Sequence, residues 1–566
     1  MANQQTVKGA EAILLSLLAE GVDTIFGYPG GQVIPLYNHI YDYTDKLHHI
    51  LARHEQGAVH SAQGYARATG KVGVCIATSG PGATNLVTGI ADAMLDSTPL
   101  VCITGQVPAN LLGTDAFQEA DTISMTMPIT KWNFQVTSAC EIPAAIAKAF
   151  YIASSGRPGP VVIDIAKNAQ VEDCNFEYTP CTSLRSYKAT PELDLIQMDA
   201  VASMINSSQR PLIIVGQGVK LSGGESELIE FAQNGNIPMG TTLMGISTVP
   251  SNHPLFMGNL GMHGNLAPND MTQEADLIIA IGMRFSDRIT GDISKYAPKA
   301  KIIHIDIDAA EINKNVKVEV GVVANAKQAL EALKDLVTFV ERKEWFEFGK
   351  ARQMHEKENL TDKCLAPSPD YITMAQTIST LADVEKGEAI IVTDVGQNQM
   401  FGALYSRFNH TRSFITSGGL GTMGFGLPAA IGAKLGAPER EVVALLGDGG
   451  FQMTMQELGT IMQDKIGVKV IVLNNSYLGM VRQWQQLFFD RRYSFTQLDN
   501  PDITKIAEAY NIASERVSDP KELRAALERM RDCKDAYLLE VVILPEENVF
   551  PMVPAGASLS NILLEE

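Results

Sequence analysis

The segment EVVALLGDGGFQM, residues 441–453, ends an aliphatic run on a single aspartate, Asp448, which is surrounded by Gly447, Gly449 and Gly450. A near-continuous apolar run that closes on glycines is typical of a buried parallel strand that turns into a helix. Similar runs recur between helical stretches, including VGVCIATSG, PLVCITG, GPVVIDI, PLIIVGQG, DLIIAIG, KIIHIDID, AIIVTDVG and VKVIVLNN. This alternation predicts the α/β class, with doubly wound parallel sheets.

The chain is too long for one hydrophobic core, because its 566 residues exceed the usual size of a domain. Two stretches, 171–194 and 341–370, interrupt the alternation of strands and helices and are predicted to connect domains. They divide the chain into three predicted doubly wound domains with the bounds 1–180, 190–345 and 366–566.

Charge and cysteine usage limit the classes of partner and compartment. The formal net charge of -19 argues against a surface for nucleic acid or for an anionic membrane. The seven cysteines are odd in number and form no CxxC pair, which favours reduced thiols in the cytoplasm over disulfides or a zinc site. No apolar run approaches the length of a membrane span.

Asp448 has a counterpart further along the chain. Asn475 lies 27 positions later, at the end of the aliphatic run VKVIVL, and a crossover of that length brings both residues to one edge of a sheet. One carboxylate and one amide suit Mg²⁺ bound to a diphosphate, because a second carboxylate would repel the phosphates. The alternative is that DGG and NNS are two ordinary turns.

A second candidate is Glu55, in the predicted helix of residues 53–70. Its helical face also carries Val59, Ala62 and Ala66, so the carboxyl lies on an apolar stripe and needs a specific partner for its proton. The alternative is a glutamate at the edge of the core. A zinc-protease HExxH motif is excluded, since Ala58 occupies the position of the second histidine.

Together, GDG and NN at this spacing resemble the signature of thiamine-diphosphate enzymes. The resemblance implies a magnesium site formed by Asp448, Asn475 and the backbone of Tyr477. It also implies that Glu55 hydrogen-bonds the aminopyrimidine ring of the cofactor and so activates it. In GLGTMGFG, Met423 resembles the bulky residue that holds the cofactor bent. The implied cofactor-binding glycines are Gly421, Gly447, Gly449 and Gly450.

The motifs FGYPGG, RHEQ, TSGPGATN, GTDAFQE, SGRPGPVVIDI, MRFSDRITGD and NNSYLGMVRQWQ, spread along the chain, resemble the catalytic large subunits of biosynthetic acetolactate (acetohydroxyacid) synthases. The resemblance implies decarboxylation of pyruvate and ligation of the two-carbon unit to a second 2-oxoacid. The acceptor pyruvate gives 2-acetolactate and 2-oxobutyrate gives 2-aceto-2-hydroxybutyrate, at the first common step of valine, leucine and isoleucine biosynthesis.

Several site residues are implied by the same resemblance. Arg288 matches the arginine that binds the carboxylate of the acceptor. Trp484 matches the residue that selects 2-oxobutyrate, a contact worth about 1–3 kcal/mol. Phe117 and Gln118 match residues that line the site, and Lys167 matches a lysine at its mouth. For Trp484, Phe117 and Met423, plain core packing stays open as an alternative. The segments QWQQLFFDRRYSFT and VFPMVPAGAS resemble a lid.

Subunit partners are also implied. The family joins the counterparts of Glu55 and Asp448 across two subunits, which implies a homodimer or homotetramer. A separate small regulatory subunit is expected on the same ground. Neither nucleic acid nor membrane is expected as a partner.

FAD as a third cofactor rests on the resemblance alone, because GQGVKL (216–221) has Leu221 where the dinucleotide fingerprint requires a third glycine. The matching flavin positions are Arg157, Gly216, Gly218, His263, Arg284 and Asp306. Two departures stand out: Ser286 replaces the first aspartate of the usual RFDDR, and IAKNAQ replaces the usual PKD.

The alternatives are a FAD-independent catabolic acetolactate synthase and a pyruvate oxidase or decarboxylase of the same superfamily. A nucleotide-binding or assembly protein that keeps the fold without the chemistry is the alternative from a different class.

Overall fold

The computed structural model describes residues 5–565 and contains three six-stranded parallel sheets with helices packed against them. This architecture confirms the predicted α/β class with three doubly wound sheets; the domain bounds given above stay predictions. None of the helices in the described part of the chain combines the length and apolar composition that a membrane span needs.

The first unit is built on a sheet whose strands alternate with helices. Its strands are β1 (Gln5–Lys8), β2 (Thr24–Gly27), β3 (His48–Leu51), β4 (Gly73–Ala77), β5 (Leu100–Gln106), β6 (Trp132–Val136), β7 (Pro160–Ala166) and β8 (Asp173–Phe176). Its helices are α1 (Gly9–Ala19), α2 (Ile34–Ile40), α3 (Glu55–Thr69), α4 (Pro81–Asn85), α5 (Val87–Leu95), α6 (Thr122–Thr126), α7 (Ile142–Ser154) and α8 (Lys167–Val171). The sheet order is β3-β2-β4-β5-β7-β6, and β1 pairs with β8 as a separate antiparallel ribbon.

The second unit has a different strand order. Its strands are β9 (Pro211–Val215), β10 (Met239–Thr241), β11 (Phe256–Asn259), β12 (Leu277–Ile281), β13 (Lys301–Asp306) and β14 (Val320–Val323). Its helices are α9 (Leu195–Ser207), α10 (Gln217–Ser222), α11 (Glu225–Gly235), α12 (Leu266–Glu274), α13 (Asp287–Thr290) and α14 (Ala326–Lys334). The order β11-β10-β9-β12-β13-β14 is that of dinucleotide-binding sheets, with its switch point between β9 and β12.

The connection to the third unit is mostly helical. It contains α15 (Lys343–Glu356), the π-helical turn Lys357–Thr361 and α16 (Asp362–Cys364). The connection after the first unit differs, since residues 177–194 form neither a helix nor a strand of any sheet.

The third unit repeats the topology of the first. Its strands are β15 (Ile390–Thr393), β16 (Phe414–Ile415), β17 (Val442–Gly447), β18 (Lys469–Asn474), β19 (Ala513–Val517) and β20 (Tyr537–Val542), in the order β16-β15-β17-β18-β20-β19. Its helices are α17 (Met374–Val384), α18 (Gln397–Tyr405), α19 (Gly426–Gly436), α20 (Asp448–Thr454), α21 (Leu458–Asp464), α22 (Gly479–Phe488), α23 (Ile503–Ala509) and α24 (Leu523–Asp532).

Helix α3 joins the first and third units. It begins after His54, whose ring accepts a hydrogen bond from the amide of Gln56, and ends at Gly70 in the left-handed conformation. Helix α19 crosses it so closely that a Cβ on Gly432 would lie 1.8 Å from the carbonyl oxygen of Ser61. Helix α5 covers a further face of α3, where the side chain of Gln63 is fully buried and donates to the Gly89 carbonyl at 3.0 Å.

Candidate functional site

Asp448 and Asn475 lie at the carboxyl edge of the third sheet, as the sequence predicts. Asp448 is the first residue of α20, directly after β17, and Asn475 directly follows β18. These two strands are parallel neighbours, with Gly447 aligned to Leu473. Both side chains line a cavity of about 60 Å³, together with Tyr477. The chain therefore places the three predicted magnesium ligands around one small space.

A third asparagine, absent from the sequence predictions, fixes the Asp448 carboxylate. Asn500 Nδ2 donates to Asp448 Oδ2 at 2.6 Å and to Asn474 Oδ1 at 3.0 Å. Burial raises the pKa of Asp448 to about 6, and the hydrogen bond from Asn500 opposes that rise. Asn500 lies in a loop without periodicity, and its only signal in the sequence is the turn-forming pair Asn-Pro.

The glycines around Asp448 have two different functions. A Cβ on Gly447 would come no closer than 3.4 Å to any neighbour, so this glycine faces the open cavity. A Cβ on Gly450 would lie 2.6 Å from Asp394 Oδ1, so here glycine is required by packing. Asp394, which the sequence analysis missed, is buried after β15 and accepts amide hydrogens from Gly424 and Gly426.

One residue of the cavity lining carries an unsatisfied polar atom. Asn398 Oδ1 is buried and has no hydrogen-bond partner among the described residues, and its side chain lines the cavity beside Gly396. An orphaned polar group of this kind requires a ligand or water to satisfy it. Met423 lines the same cavity, whereas Gly421, with φ of 70°, lines a larger one.

The larger cavity has a volume of about 780 Å³ and is bordered by all three units. It lies at the switch point of the second sheet, where dinucleotides bind in this topology. Five of the predicted flavin positions line it: Arg157, Gly218, His263, Arg284 and Asp306. Gly216 lies beside it, where a Cβ would be 2.1 Å from the carbonyl oxygen of Gly282.

Charged groups at this cavity are held by their neighbours. Arg157 forms ion pairs with Asp308 at 3.2 Å and Glu311 at 2.9 Å. Burial lowers the pKa of His263 to about 4, so the ring is neutral at pH 7. Burial raises the pKa of Asp306 to about 6 at the end of β13.

Four of the predicted site residues lie at the carboxyl edge of the first sheet: Glu55, Phe117, Gln118 and Lys167. Glu55 Oε2 accepts a hydrogen bond of 2.9 Å from Asn85 Nδ2, and the Lys167 ammonium donates to the Gly31 carbonyl at 3.2 Å. Gln118 has a left-handed backbone with φ of 61°. Phe117, next to it, is 83% exposed.

Within one copy of the chain, the predicted metal ligands and the predicted residues at the edge of the first sheet do not share a cavity. Among residues 5–565, Glu55, Phe117, Gln118 and Lys167 line neither of the two cavities described above. The structure thus brings together the predicted metal ligands at one edge and the predicted acid and its neighbours at another.

Comparison with protein families covers each of the three units. Residues 7–125 match the thiamine pyrophosphate enzyme N-terminal TPP binding domain. Residues 198–333 match the central domain of the same enzymes, and residues 394–541 match their C-terminal TPP binding domain.

Curated relatives align over nearly the whole chain. A probable acetolactate synthase large subunit of Methanocaldococcus jannaschii is 46% identical over 98% of this chain and 95% of its own length. The acetolactate synthase isozyme 2 large subunit of Escherichia coli is 44% identical over 98% and 99%, respectively. The acetolactate synthase large subunit of Corynebacterium glutamicum is 44% identical over 99% and 90%. The chain belongs to the acetolactate synthase large-subunit family. It is therefore an enzyme of the thiamine-diphosphate class.

Two residues that resemble substrate-binding positions of the acetolactate synthase family share the large cavity. The Arg288 side chain is 61% exposed and lies 3.9 Å from the Met262 sulfur. Trp484 packs on Phe488 with ring centroids 5.1 Å apart, and on the cluster that includes Phe550. The two segments that resemble a lid therefore touch at Trp484.

Ser286 and Asn168, which depart from the acetolactate synthase pattern, lie in different parts of the structure. Ser286 precedes α13, lines the large cavity and makes no capping hydrogen bond with its side chain. Asn168, which follows Lys167, accepts from the Ala109 amide at 2.8 Å and donates to Glu172 at 2.7 Å. Asn168 therefore fastens α8 to the segment after β5.

Proposed function

We propose that this chain is the catalytic subunit of a biosynthetic acetolactate synthase, with pyruvate as donor and pyruvate or 2-oxobutyrate as acceptor. The observation that carries the proposal is the convergence of Asp448 and Asn475 on one glycine-lined cavity at the edge of the third sheet. Both residues lie within the stretch 394–541 that matches a domain described as binding thiamine pyrophosphate.

Magnesium is the proposed metal. One buried carboxylate, one amide oxygen and the backbone carbonyl of Tyr477 are hard oxygen donors, which leave further positions of an octahedral ion for phosphate and water. No cluster of three His, Cys, Asp or Glu side chains suited to a metal occurs in residues 5–565, which matches a site that relies on its ligand for the remaining donors. The orphaned Asn398 Oδ1 supports a polar ligand in the same cavity.

FAD is the proposed occupant of the large cavity. The cavity lies at the switch point of a dinucleotide-type sheet and has the size of a cofactor pocket. Its lining includes Arg157 and Arg284, which suit an anionic ligand. Ser286 takes the place of an aspartate there and thus spares an anionic ligand one repulsion.

Thiamine diphosphate, when bound, supplies the carbon nucleophile that attacks pyruvate. In the proposal, the Glu55 carboxyl exchanges a proton with the pyrimidine ring, and Asn85 holds that carboxyl at 2.9 Å. Arg288 binds the carboxylate of the second 2-oxoacid. Its guanidinium is 61% exposed and pairs with the likewise exposed Asp287 at 3.4 Å, a surface partner that the substrate carboxylate would replace. Trp484 packs against the acceptor side chain and, with the chain around it, excludes water.

The proposed assembly contains at least two copies of the chain, as a homodimer or homotetramer. Glu55, Gln118 and Lys167 lie at an edge separate from Asp448, so a second copy is needed to bring an acid to the metal site. A small regulatory subunit is also proposed, because the relatives are named large subunits.

Acetolactate formation tests the activity directly. The purified protein is supplied with pyruvate, thiamine diphosphate, Mg²⁺ and FAD, and acetolactate is the expected product. Oxygen uptake with acetyl phosphate, or acetaldehyde as main product, would favour an oxidase or decarboxylase. Full activity in a colourless, flavin-free preparation would favour the catabolic, FAD-independent synthase.

Mixing inactive variants tests the shared site. Glu55→Gln and Asp448→Ala homomers should each be nearly inactive. After subunit exchange, half of the dimers are mixed and one of their two sites is intact, so about a quarter of wild-type activity should return. A mixture that exchanges subunits by native mass spectrometry yet stays inactive would contradict the proposed pairing of Glu55 with Asp448.

A further inference from the structure

A charged cluster is buried between the first and third units. Arg67 in α3 forms ion pairs with Asp92 at 3.3 Å and with Asp96 at 3.1 Å, and both carboxylates are fully buried. Gln63 accepts a further hydrogen bond from the same guanidinium at 2.9 Å. Burying three charges costs several kcal/mol per ion unless each is paired and hydrogen-bonded, so the remaining partners of these groups matter.

Those remaining partners lie in one loop of the third unit. Asp96 accepts the amide hydrogens of Gly418 at 2.9 Å and Gly419 at 2.7 Å. Asp92 accepts from the hydroxyl of Ser417 and, at 3.3 Å, from that of Thr422. The cluster therefore fastens residues 417–422, here called the anchored loop, to helix α5 and the residue after it.

The anchored loop has little hydrophobic packing of its own. Gly418, Gly419 and Gly421 have no side chains, and Leu420 is 42% exposed. A Cβ on Gly419 would lie 2.9 Å from Asp96 Oδ1, so the backbone itself rests on the carboxylate. Its conformation thus depends on hydrogen bonds to buried charges, which are strong and directional.

This loop borders the large cavity and leads directly into the lining of the small one. Residues 417–421 line the large cavity, and Met423, directly after the loop, lines the small one. The chain next to Asp96 also borders the large cavity. Ser97 lines that cavity and accepts a 2.9 Å hydrogen bond from Arg157. A ligand in the large cavity lies against the anchored loop itself, and a ligand in the small cavity lies against Met423, one residue beyond the loop.

We propose that Asp96, supported by Asp92 and Arg67, is a positioning residue that couples the two cofactor cavities through the anchored loop. The inference rests on the proposed function, because it takes the large cavity to bind FAD and the small one to bind thiamine diphosphate. A ligand in the large cavity packs against the loop and so stabilises the position of Met423 beside the small cavity, and a ligand in the small cavity stabilises the loop in turn. Such coupling is reciprocal by thermodynamic necessity.

Asp96→Asn tests the coupling. The new amide retains one acceptor oxygen, so one of the two glycine amides faces an NH₂ group and loses its partner. Asp276→Asn is the matched control: its carboxylate also accepts two amide hydrogens, from Gln209 at 2.9 Å and Arg210 at 3.0 Å, and it precedes β12, away from the carboxyl edge.

The measurements are binding constants on the apoprotein rather than activity. FAD affinity is followed by flavin absorbance, and thiamine diphosphate with Mg²⁺ by calorimetry, each with and without the other cofactor. In the wild type we expect each cofactor to tighten the other by about 5-fold or more. In Asp96→Asn the coupling factor should fall towards one, with hydrogen exchange faster in the peptide that spans residues 416–424. Asp276→Asn should keep the wild-type factor.

Ser417→Ala is a milder variant, because it keeps all three charges and removes only one hydroxyl that bonds to Asp92. It provides a second test of the coupling if Asp96→Asn does not fold. It should reduce the coupling in the same direction. The inference would be overturned if Asp96→Asn kept the wild-type coupling factor, or if Ser417→Ala kept it when only that variant folds. It would also be overturned if the two cofactors bound to the wild type independently. A wild type that bound neither cofactor would overturn the proposed function and this inference with it.

Discussion

Replacement of Asn500 by alanine should weaken magnesium binding without touching a metal ligand. The substitution removes the hydrogen bonds from Nδ2 to Asp448 and Asn474, and the 2.8 Å bond that Oδ1 accepts from Gln452. Asp448 is only 1% exposed, so water cannot readily take the place of the lost donor. The carboxylate then loses both a partner and its fixed orientation.

The size of the effect follows from that geometry. A hydrogen bond to a charged group contributes about 1.5–3 kcal/mol. Loss of a residue that orients a metal ligand typically lowers metal affinity about 10- to 100-fold. The second range corresponds to about 1.4–2.7 kcal/mol, so the two estimates agree. We therefore expect the Mg²⁺ concentration for half-maximal thiamine diphosphate binding to rise about 10- to 100-fold, with a much smaller change in kcat at saturating Mg²⁺.

Calorimetric Mg²⁺ titration in the presence of thiamine diphosphate measures this constant. Asn409→Ala provides the control, because Asn409 Nδ2 also donates to a carboxylate, that of Glu388, and to a second oxygen, here the Lys386 carbonyl, but lies away from the site. A half-saturating Mg²⁺ concentration in Asn500→Ala within about twofold of the wild type would refute the reasoning.

Three further predictions concern Glu457, the acceptor pocket and the helix crossing. Glu457 lies in the third unit and accepts the amide hydrogens of Arg53 and His54 of the first unit, each at 3.1 Å. Burial raises the pKa of Glu457 to about 7, so the folded state favours the protonated carboxyl. The contribution of this carboxyl to the free energy of unfolding is complete below pH 4.5 and is lost as the pH rises through 7. Relative to Glu457→Gln, wild-type unfolding free energy should fall by about 2 kcal/mol between pH 5 and 8 in urea titrations, and no pH trend would contradict this. Trp484→Leu should reduce the preference for 2-oxobutyrate by about 1–3 kcal/mol in a competition assay, while Trp345→Phe, in the connecting helix α15, should not; equal effects of both would remove the assignment. Gly432→Ala should destabilise the fold by about 1–3 kcal/mol or more in thermal unfolding, because its Cβ would meet the Ser61 backbone at 1.8 Å, and an unchanged Tm would contradict that crossing.

The sequence predicts the features that depend on local periodicity. Apolar runs identify β17 and β18 as buried parallel strands, and the length of chain between them is sufficient to predict that Asp448 and Asn475 meet at one edge. Helix α3 is likewise predicted from the spacing of its apolar residues. These predictions succeed because strand pairing and crossover handedness leave few alternatives once the elements are known.

Features that depend on contacts distant in sequence are not predictable in this way. Asn500 reaches Asp448 from a loop, and no pattern in the sequence connects the two. Arg67 belongs to a polar face that periodicity alone would leave in solvent, yet it is buried because α5, with Asp92 and the following Asp96, packs on that face of α3. The partner of a polar side chain is decided by which elements pack together, and that information is tertiary.

The matching strand orders of the first and third sheets explain why the proposed site needs two copies. Each sheet presents one carboxyl edge, and in a single chain the metal ligands occupy one edge while Glu55 and Lys167 occupy the other. The α3–α19 crossing fixes the relation of the two sheets within a chain through backbone contacts that cannot yield. Because that relation leaves Glu55 outside the small cavity, the proposed site takes its acid from the equivalent edge of another copy. Association and catalysis would then depend on the same surface, so a mutation that weakens the one is expected to weaken the other.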